Sequence, residues 1–173
     1  MNEDKIKKGI RNIPDFPKKG IQFKDITPLL MKPKLYSEVI ETFSKRYSSM
    51  GIDVIVGIES RGFIFAGPLS LKLNCSFALA RKKGKLPSQT VQAKYDLEYG
   101  TDYLEMHTDS IKSGSNVLII DDLLATGGTT KAVVDLVEKL NGNLIEIAYL
   151  IELVDLDGRK KFNNKNIFSL IKY

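Results

Sequence analysis

The sequence predicts an α/β fold, with a mostly parallel, twisted sheet flanked by helices. Apolar runs rich in β-branched residues, at 53–58 and 117–120, are typical of strands buried on both faces of a parallel sheet. Helical patterns alternate with such runs, as in folds where helices connect parallel strands. A chain of 173 residues also fits one domain, residues 1–173.

The N-terminal part is the least regular segment of the chain. Residues 4–11 are expected to form one short helix, because Ile6 and Ile10 have i, i+4 spacing. Residues 12–33 contain four prolines, so we expect an irregular or short-stranded segment there. This segment is rich in apolar side chains that must pack on something. Either a hood over a ligand or a simple arm over the core would satisfy that need.

Regular elements are expected to fill the rest of the chain. An amphipathic helix is expected at 36–47, and Pro68 predicts a kink or a late start in the helix that ends near Leu73. The single histidine, His107, has no His or Cys near it in the sequence and is expected to be structural. The other expected elements are a strand at 76–82, hairpin arms at 92–95 and 103–107, a helix with Val133, Val134, Val137 and Leu140 on one face, a strand at 144–154, a short helix at 155–162 and a strand at 167–171.

Composition excludes several classes of protein. Cys75 is the only cysteine, so no intrachain disulfide is possible, and a cytoplasmic location is expected. The charged start of the chain is not expected to be a secretory signal, and no apolar run approaches the roughly 18 residues of a membrane helix. The net charge of +5 suits phosphate-bearing ligands. The one basic cluster, at 81–85, lacks the interleaved aromatic residues of a single-strand nucleic-acid binder.

The stretch 116–130, NVLIIDDLLATGGTT, carries the strongest functional signal. It predicts a strand, the acidic pair Asp121 and Asp122, a small-residue loop and a helix N-terminus. Glycines allow close approach to a ligand, and the unpaired amides of a first helical turn bind phosphate. The two carboxylates would repel that phosphate, but they suit a sugar diol or a group that carries a metal. A ribose 5-phosphate satisfies both halves of the motif.

Other interpretations of this stretch are weaker. It is not a Walker A loop, because no Lys follows the second glycine, and it lacks the GxGxxG spacing of dinucleotide-binding folds. An ordinary strand–turn–helix could contain TGGT, yet it would not need the adjacent acidic pair. Arg61 follows the strand at 53–58, where a guanidinium suits a pyrophosphate, although a surface ion pair is the alternative.

The motif resembles the phosphoribosyl-pyrophosphate motif of the type I phosphoribosyltransferases, and DDLLATGGT is similar to the form found in members that use adenine. The similarity covers nearly the whole chain, through NIPDFPKKGIQFKDITPLL, GIESRGFIFAGPL, RKKGKLP, LEYGTDYLEMH and FSLIKY. It implies the type I phosphoribosyltransferase fold, with an N-terminal hood mainly at 12–33 and a flexible loop at about 83–104. The reaction implied is transfer of the phosphoribosyl group from phosphoribosyl pyrophosphate to adenine, giving AMP and pyrophosphate.

The resemblance also implies roles for individual residues. The ribose 5-phosphate would be bound by Asp121, Asp122, Ala125, Thr126, Gly127, Gly128 and Thr129. Pyrophosphate would be bound by Glu59, Ser60, Arg61, Arg81, Lys82 and Lys85, with Mg²⁺ held through the substrate's own oxygens and by no protein ligand directly. Adenine would contact Gln22, Phe23, Lys24 and Leu123. The catalytic residues would be Arg61, Glu98 as the proton-handling group, and Tyr99 as a cover for the site.

Two structural features come with the resemblance. The Glu59–Ser60 peptide bond is expected to be cis, and a homodimer is expected in which RKKGKLP of one subunit approaches the neighbour's site. Two rivals remain: a ligand-sensing regulator joined to a DNA-binding module, for which the chain has no spare segment, and an enzyme that uses hypoxanthine, guanine, xanthine or orotate. Neither nucleic acid nor membrane is expected as a partner.

Overall fold

The computed structural model describes residues 3–97, 100–162 and 164–173. The chain divides into two compact units, Met1–Lys45 and Arg46–Tyr173. Among the described residues, none of the helices combines the length and the apolar character that a membrane span requires.

The first unit consists of a small β-hairpin and three helices. Its elements are α1 (Glu3–Lys7), β1 (Arg11–Pro14), β2 (Gln22–Asp25), α2 (Thr27–Leu30) and α3 (Pro33–Tyr47), whose last two residues belong to the second unit. β1 and β2 pair antiparallel as a two-stranded sheet. The expected short-stranded character of residues 12–33 is therefore confirmed, whereas their role as a hood stays a prediction.

The helix expected at 4–11 is shorter in the structure, and this prediction was wrong at its end. α1 stops at Lys7, and the amide of Gly9 donates to the carbonyl of Ile6 at 2.8 Å, which turns the chain. Arg11 then begins β1 opposite Asp25, and the two side chains form an ion pair at 2.7 Å. Pairing in the hairpin outweighs a helical pattern this short, because isolated helices of a few residues are unstable.

The second unit is built on a seven-stranded sheet with the order β5-β6-β4-β3-β7-β8-β9. Its elements are β3 (Val54–Ile58), α4 (Gly62–Leu73), β4 (Ser76–Lys82), β5 (Thr90–Leu97), β6 (Gly100–His107), β7 (Asn116–Leu124), α5 (Gly128–Lys139), β8 (Asn143–Glu152), two 3₁₀ helices (Val154–Leu156 and Gly158–Phe162) and β9 (Ile167–Lys172). Five strands that are adjacent in this order, β4, β3, β7, β8 and β9, pair in parallel. The β5–β6 hairpin adds an antiparallel edge next to β4. The predicted mostly parallel α/β sheet is confirmed.

Alternation along β3 shows how the helices cover the two faces of this sheet. Val54, Val56 and Ile58 belong to the core cluster that includes the inner face of α5. Gly57 points to the opposite face, where a Cβ would lie 2.8 Å from the Cβ of Ala66 in α4. Since successive side chains of a strand alternate between faces, one sheet buries apolar residues on both sides.

The short helix expected at 155–162 consists of two 3₁₀ helices, because Asp157 between them adopts a left-handed conformation with φ 52°. The strand expected at 144–154 ends at Glu152, and the helix expected at 36–47 already begins at Pro33.

Other strand and helix boundaries also differ from the predicted ones. α4 begins directly at Gly62 and contains Pro68, so a late start was wrong; burial of Phe65 and Leu69 offsets the missing amide of Pro68. β7 continues past residue 120 to Leu124, because its last residues pair with β8. The hairpin arms are longer than 92–95 and 103–107, because β5 and β6 pair along their whole lengths.

Candidate active site

The carboxyl ends of three adjacent strands bring the candidate residues together. β3 lies between β4 and β7, with Ile58 opposite Ala80 and Gly57 opposite Ile120. The turn after β3, the basic segment 81–85 at the end of β4 and in the turn after it, and the loop after β7 therefore lie at one edge of the sheet. This edge is where open α/β sheets bind ligands.

The loop between β7 and α5 has the geometry of an anion-binding site. Gly127 adopts a left-handed conformation, with φ 78°, directly before the first turn of α5, and no side chain in the described part of the chain caps that turn. The amides of the first turn and the positive end of the helix dipole therefore face the loop. A cavity of about 90 Å³, the volume of roughly three waters, lies here. Its lining consists of Asp121, residues 123–129 and Thr130.

The second 3₁₀ helix supports this loop from behind. A Cβ placed on Gly127 would lie 2.9 Å from the ring of Phe162, and one on Gly158 would lie 2.1 Å from the carbonyl oxygen of Ala125. Arg159 ties the same helix to the sheet, because its guanidinium donates to Glu152 at 2.8 Å and to the Ile167 carbonyl at 3.0 Å. The sequence gives no sign of this support, since the contacts join segments that are distant in the chain.

Asp121 and Asp122 form a crowded acidic pair beside the cavity. Asp122 is 3% exposed, and its amide donates to Oδ1 of Asp121 at 2.9 Å. Crowding by protein atoms, and then the charge of Asp122, raises the pKa of Asp121 well above its ordinary value of 3.8. Burial also raises the pKa of Asp122, although the nearby guanidinium of Arg61 opposes this effect. The pair lies within β7 rather than beyond its end, so both backbones are fixed.

One oxygen of this pair has a charged neighbour but no hydrogen-bond partner among the described residues. Oδ2 of Asp122 lies 2.9 Å from Nε of Arg61, yet the N–H does not point at it, and no other described group hydrogen-bonds to this oxygen. Buried polar atoms without a hydrogen-bond partner are rare in folded proteins and need an explanation. Gly62 permits the close approach of the start of α4 to β7, since a Cβ there would lie 2.8 Å from the Ile120 carbonyl oxygen.

The turn after β3 has the expected backbone and an unexpected side-chain contact. The Glu59–Ser60 peptide bond is cis, as the resemblance implied. The Glu59 carboxylate accepts hydrogen bonds from Arg81 at 3.2 and 3.3 Å and from the Lys82 amide at 3.0 Å. Burial alone would raise the pKa of Glu59, but these hydrogen bonds outweigh it and the pKa is lowered. In this structure Glu59 therefore holds the basic segment with its side chain.

The remaining candidates lie on other elements or outside the described residues. Gln22, Phe23 and Lys24 lie on β2 in the first unit; Phe23 packs edge-to-face on Phe16 with ring centroids 5.2 Å apart. Glu98 and Tyr99 lie outside the described residues. Leu123 is half-buried and lines the cavity. His107 contacts the carbonyl of Pro87, which fits the structural role expected for it.

The chain is similar to phosphoribosyltransferases over nearly its whole length. The family described as Phosphoribosyl transferase domain matches residues 25–173. The adenine phosphoribosyltransferase of Geotalea daltonii is 54% identical over 170 residues, which cover 98% of this chain and 99% of that protein.

Two solved structures show the same fold over nearly the same length. An adenine phosphoribosyltransferase from Thermoanaerobacter pseudethanolicus has a TM-score of 0.96 and 50% identity, covering 99% of this chain and 100% of that one. The enzyme from Saccharomyces cerevisiae, solved with D-2,5-dideoxy-2,5-imino-altritol 1,6-bisphosphate and adenine, has a TM-score of 0.93 and 40% identity over 98% of both chains.

The fold and the site thus define a phosphoribosyltransferase of type I. Within that class, the chain belongs to the adenine phosphoribosyltransferase family.

Proposed function

We propose that this protein transfers the 5-phosphoribosyl group from phosphoribosyl pyrophosphate to adenine, giving AMP and pyrophosphate in purine salvage. The observation that carries the proposal is the uncapped first turn of α5 next to the Asp121–Asp122 pair. That juxtaposition suits a phosphate attached to a sugar diol. The family relationship and the adenine bound by the yeast relative support the choice of base.

The loop after β7 would hold the ribose 5-phosphate. In this role the amides of Gly127, Gly128 and Thr129 and the hydroxyl of Thr126 donate to the phosphate oxygens. The orphaned oxygen of Asp122, with Asp121 beside it, accepts from the ribose hydroxyls. Hydrogen bonds from the ribose hydroxyls, and the positive charge on the sugar in the transition state, both favour the ionised form of the two carboxylates. The same carboxylates therefore stabilise the positive charge that develops at the anomeric carbon.

The leaving pyrophosphate would be held by the turn after β3 and the segment after β4. In the reaction the anomeric C–O bond to pyrophosphate breaks as the C–N bond to adenine forms, so negative charge accumulates on the leaving group. Arg61, Arg81, Lys82 and Lys85 are the cations that would stabilise it, with the backbone of Glu59 and Ser60 beside them.

Mg²⁺ is part of this proposal as a partner of the substrate. Within the described ranges, no three His, Cys, Asp or Glu side chains are grouped so that they could hold a metal ion. Mg²⁺ usually keeps several waters and binds through substrate phosphates, so the ion would come with the oxygens of the substrate itself. The ion supplies positive charge that neutralises the pyrophosphate oxygens.

Adenine and its proton would be managed by other segments of the chain. The main chain around Gln22, Phe23 and Lys24 is proposed to pair with the base, with Phe23 stacking on it and Leu123 contacting it. Lys24 replaces an Arg that is common in the family, which matters little if the main chain makes the contact. Glu98 is proposed to take the proton that adenine loses, and Tyr99 to cover the site.

A homodimer is also proposed, and the surface of α4 supports it. This helix is apolar on nearly all sides, and Leu71 is 84% exposed. Phe77 of β4 is 38% exposed and stacks edge-to-face on Phe63, with ring centroids 6.0 Å apart. A helix that is apolar all round is normally covered, and a second copy is the proposed cover. The cytoplasm is the proposed location.

The test is to incubate the protein with phosphoribosyl pyrophosphate, Mg²⁺ and each of adenine, hypoxanthine, guanine, xanthine and orotate, and to separate the products by chromatography. AMP and pyrophosphate are expected with adenine and no nucleotide with the other bases. Omitting Mg²⁺ is the matched control and should abolish turnover. Turnover of another base in place of adenine would contradict the proposal, and binding without turnover would favour a sensor.

A further inference from the structure

A buried carboxylate lies beneath the turn that follows β4. Glu105, on β6, is 3% exposed. Its chain neighbours Leu104 and Met106 belong to the core cluster. Because side chains alternate along a strand, Glu105 faces the other side of the sheet, and the segment after β4 folds over it.

The contacts of Glu105 are concentrated on the two residues that flank Lys85. Its Oε1 accepts from the Gly84 amide at 3.0 Å and from the Leu86 amide at 3.1 Å. Its Oε2 lies 3.4 Å from the hydroxyl of Thr90. One carboxylate oxygen therefore fixes the main chain on both sides of Lys85, while the side chain of Lys85 itself is exposed.

Two more hydrogen bonds complete the constraint on this turn. The Lys85 amide donates to the Lys82 carbonyl at 3.2 Å, and Nη1 of Arg81 donates to the Lys85 carbonyl at 3.0 Å. Arg81 is held in turn by Glu59. Two acidic residues, Glu59 and Glu105, thus hold one cluster of cations in a defined shape, although four like charges within five residues repel one another.

We propose that Glu105 is a positioning residue for pyrophosphate recognition: it orders the turn that carries Lys85 and accepts the hydrogen bond of Arg81 before the substrate binds. This inference rests on the proposed function, in which these cations bind the pyrophosphate group. A turn ordered in advance saves the cost of ordering it on binding, so Glu105 contributes to affinity without touching the ligand.

A residue that only stabilises the hairpin would behave differently from a positioning residue. Loss of a purely structural contact lowers the melting temperature and leaves the affinities of the folded protein unchanged. Loss of positioning weakens phosphoribosyl pyrophosphate, which carries the pyrophosphate group, and spares AMP, which lacks it. The comparison of these two ligands is therefore the decisive readout.

The variants are Glu105→Gln, which keeps one acceptor but loses its charge, and Glu105→Met, which removes both acceptors at similar volume. Binding of phosphoribosyl pyrophosphate with Mg²⁺, and separately of AMP, is measured by calorimetry. We expect affinity for phosphoribosyl pyrophosphate to fall about threefold in the Gln variant and about tenfold in the Met variant, since charge-assisted hydrogen bonds are roughly twice as strong as neutral ones. AMP affinity should stay within about twofold of the unmodified protein.

Glu146→Gln is the matched control, because Glu146 is a buried carboxylate that accepts from Arg46 and Tyr47 away from the basic segment. It should lower the melting temperature and leave both affinities unchanged. If Glu105→Met fails to fold, the Gln variant still carries the test. Unchanged phosphoribosyl pyrophosphate affinity in the Gln variant, or an equal loss of AMP affinity, would overturn the positioning role. An unmodified protein that binds AMP but not phosphoribosyl pyrophosphate would overturn the proposed function instead.

Discussion

Replacing Gly158 by alanine should damage the phosphate site from outside it. The added Cβ would lie 2.1 Å from the Ala125 carbonyl oxygen and 2.9 Å from a methyl carbon of Leu124. Carbon–oxygen contacts in proteins lie at about 3.3–3.6 Å, so one of the two backbones must move by about 1 Å. Gly158 is not in the left-handed region, so alanine meets no conformational penalty there and the effect is steric alone.

The size of the effect follows from which backbone moves. Arg159, the next residue, is bonded to Glu152 and Ile167, so the 3₁₀ helix is held on the sheet side. The Ala125 end should therefore yield, and the amides of the phosphate loop should shift with it. A misplacement of about 1 Å can cost up to about 10²-fold in kcat/KM, and overpacking costs about 1–3 kcal/mol of stability.

Calorimetry with AMP and thermal unfolding together test this reasoning. We expect AMP affinity to fall at least about tenfold, corresponding to about 1.4 kcal/mol, along with a lower melting temperature. Gly142→Ala is the control: its Cβ would lie 2.9 Å from Val137 and 3.0 Å from Val117, just before β8 at the opposite edge of the sheet. It should lower the melting temperature alone. A Gly158→Ala protein that loses stability but binds AMP normally would refute the reasoning, because the helix and not the loop would then have moved.

Three further predictions concern the site itself. Thr126→Ala should weaken AMP binding by about tenfold, through loss of a hydrogen bond to a charged group, and unchanged calorimetric affinity would contradict this. Asp121→Asn should raise the melting temperature at neutral pH while lowering kcat. Because the pKa of Asp121 is raised on folding, the folded protein binds more protons than the unfolded chain above pH 3.8. The stability of the unmodified protein therefore falls as pH rises above that value. The stabilisation should vanish below pH 3.8, and a gain that persists there would show another cause. Glu98→Gln should lower kcat by roughly 10²–10⁴ and leave the affinity for phosphoribosyl pyrophosphate nearly unchanged; near-normal steady-state turnover would assign the proton to another group.

Local sequence was sufficient to predict the elements whose formation depends mainly on neighbouring residues. The β-branched run at 117–120 and the following small-residue loop predicted β7, the loop and the start of α5, because strand burial and helix initiation depend on neighbouring residues. The same stretch predicted a phosphate site and an acidic pair. The strand at 76–82 was predicted with the bounds that the structure shows.

Local sequence failed where distant segments compete with a local preference. Residues 8–11 have a helical pattern, yet Arg11 joins a hairpin because Asp25 pairs with it. The helical pattern around Pro68 suggested a late start, yet burial against the sheet keeps α4 helical from Gly62. In both cases tertiary contacts outweigh propensities of a few tenths of a kcal/mol per residue.

The sequence by itself determined which chemical groups this protein carries and that parallel strands deliver Arg61, Arg81 and Asp121 to one edge of a sheet. Only the tertiary structure decided what supports them: Glu105 under the turn of Lys85, Gly158 and Phe162 behind the phosphate loop, and Glu59 on Arg81. Motifs are visible in a sequence because a ligand contacts several consecutive residues. Supporting residues leave no such pattern, because each contributes a single side chain from a strand or helix whose place is set by the packing of the whole sheet.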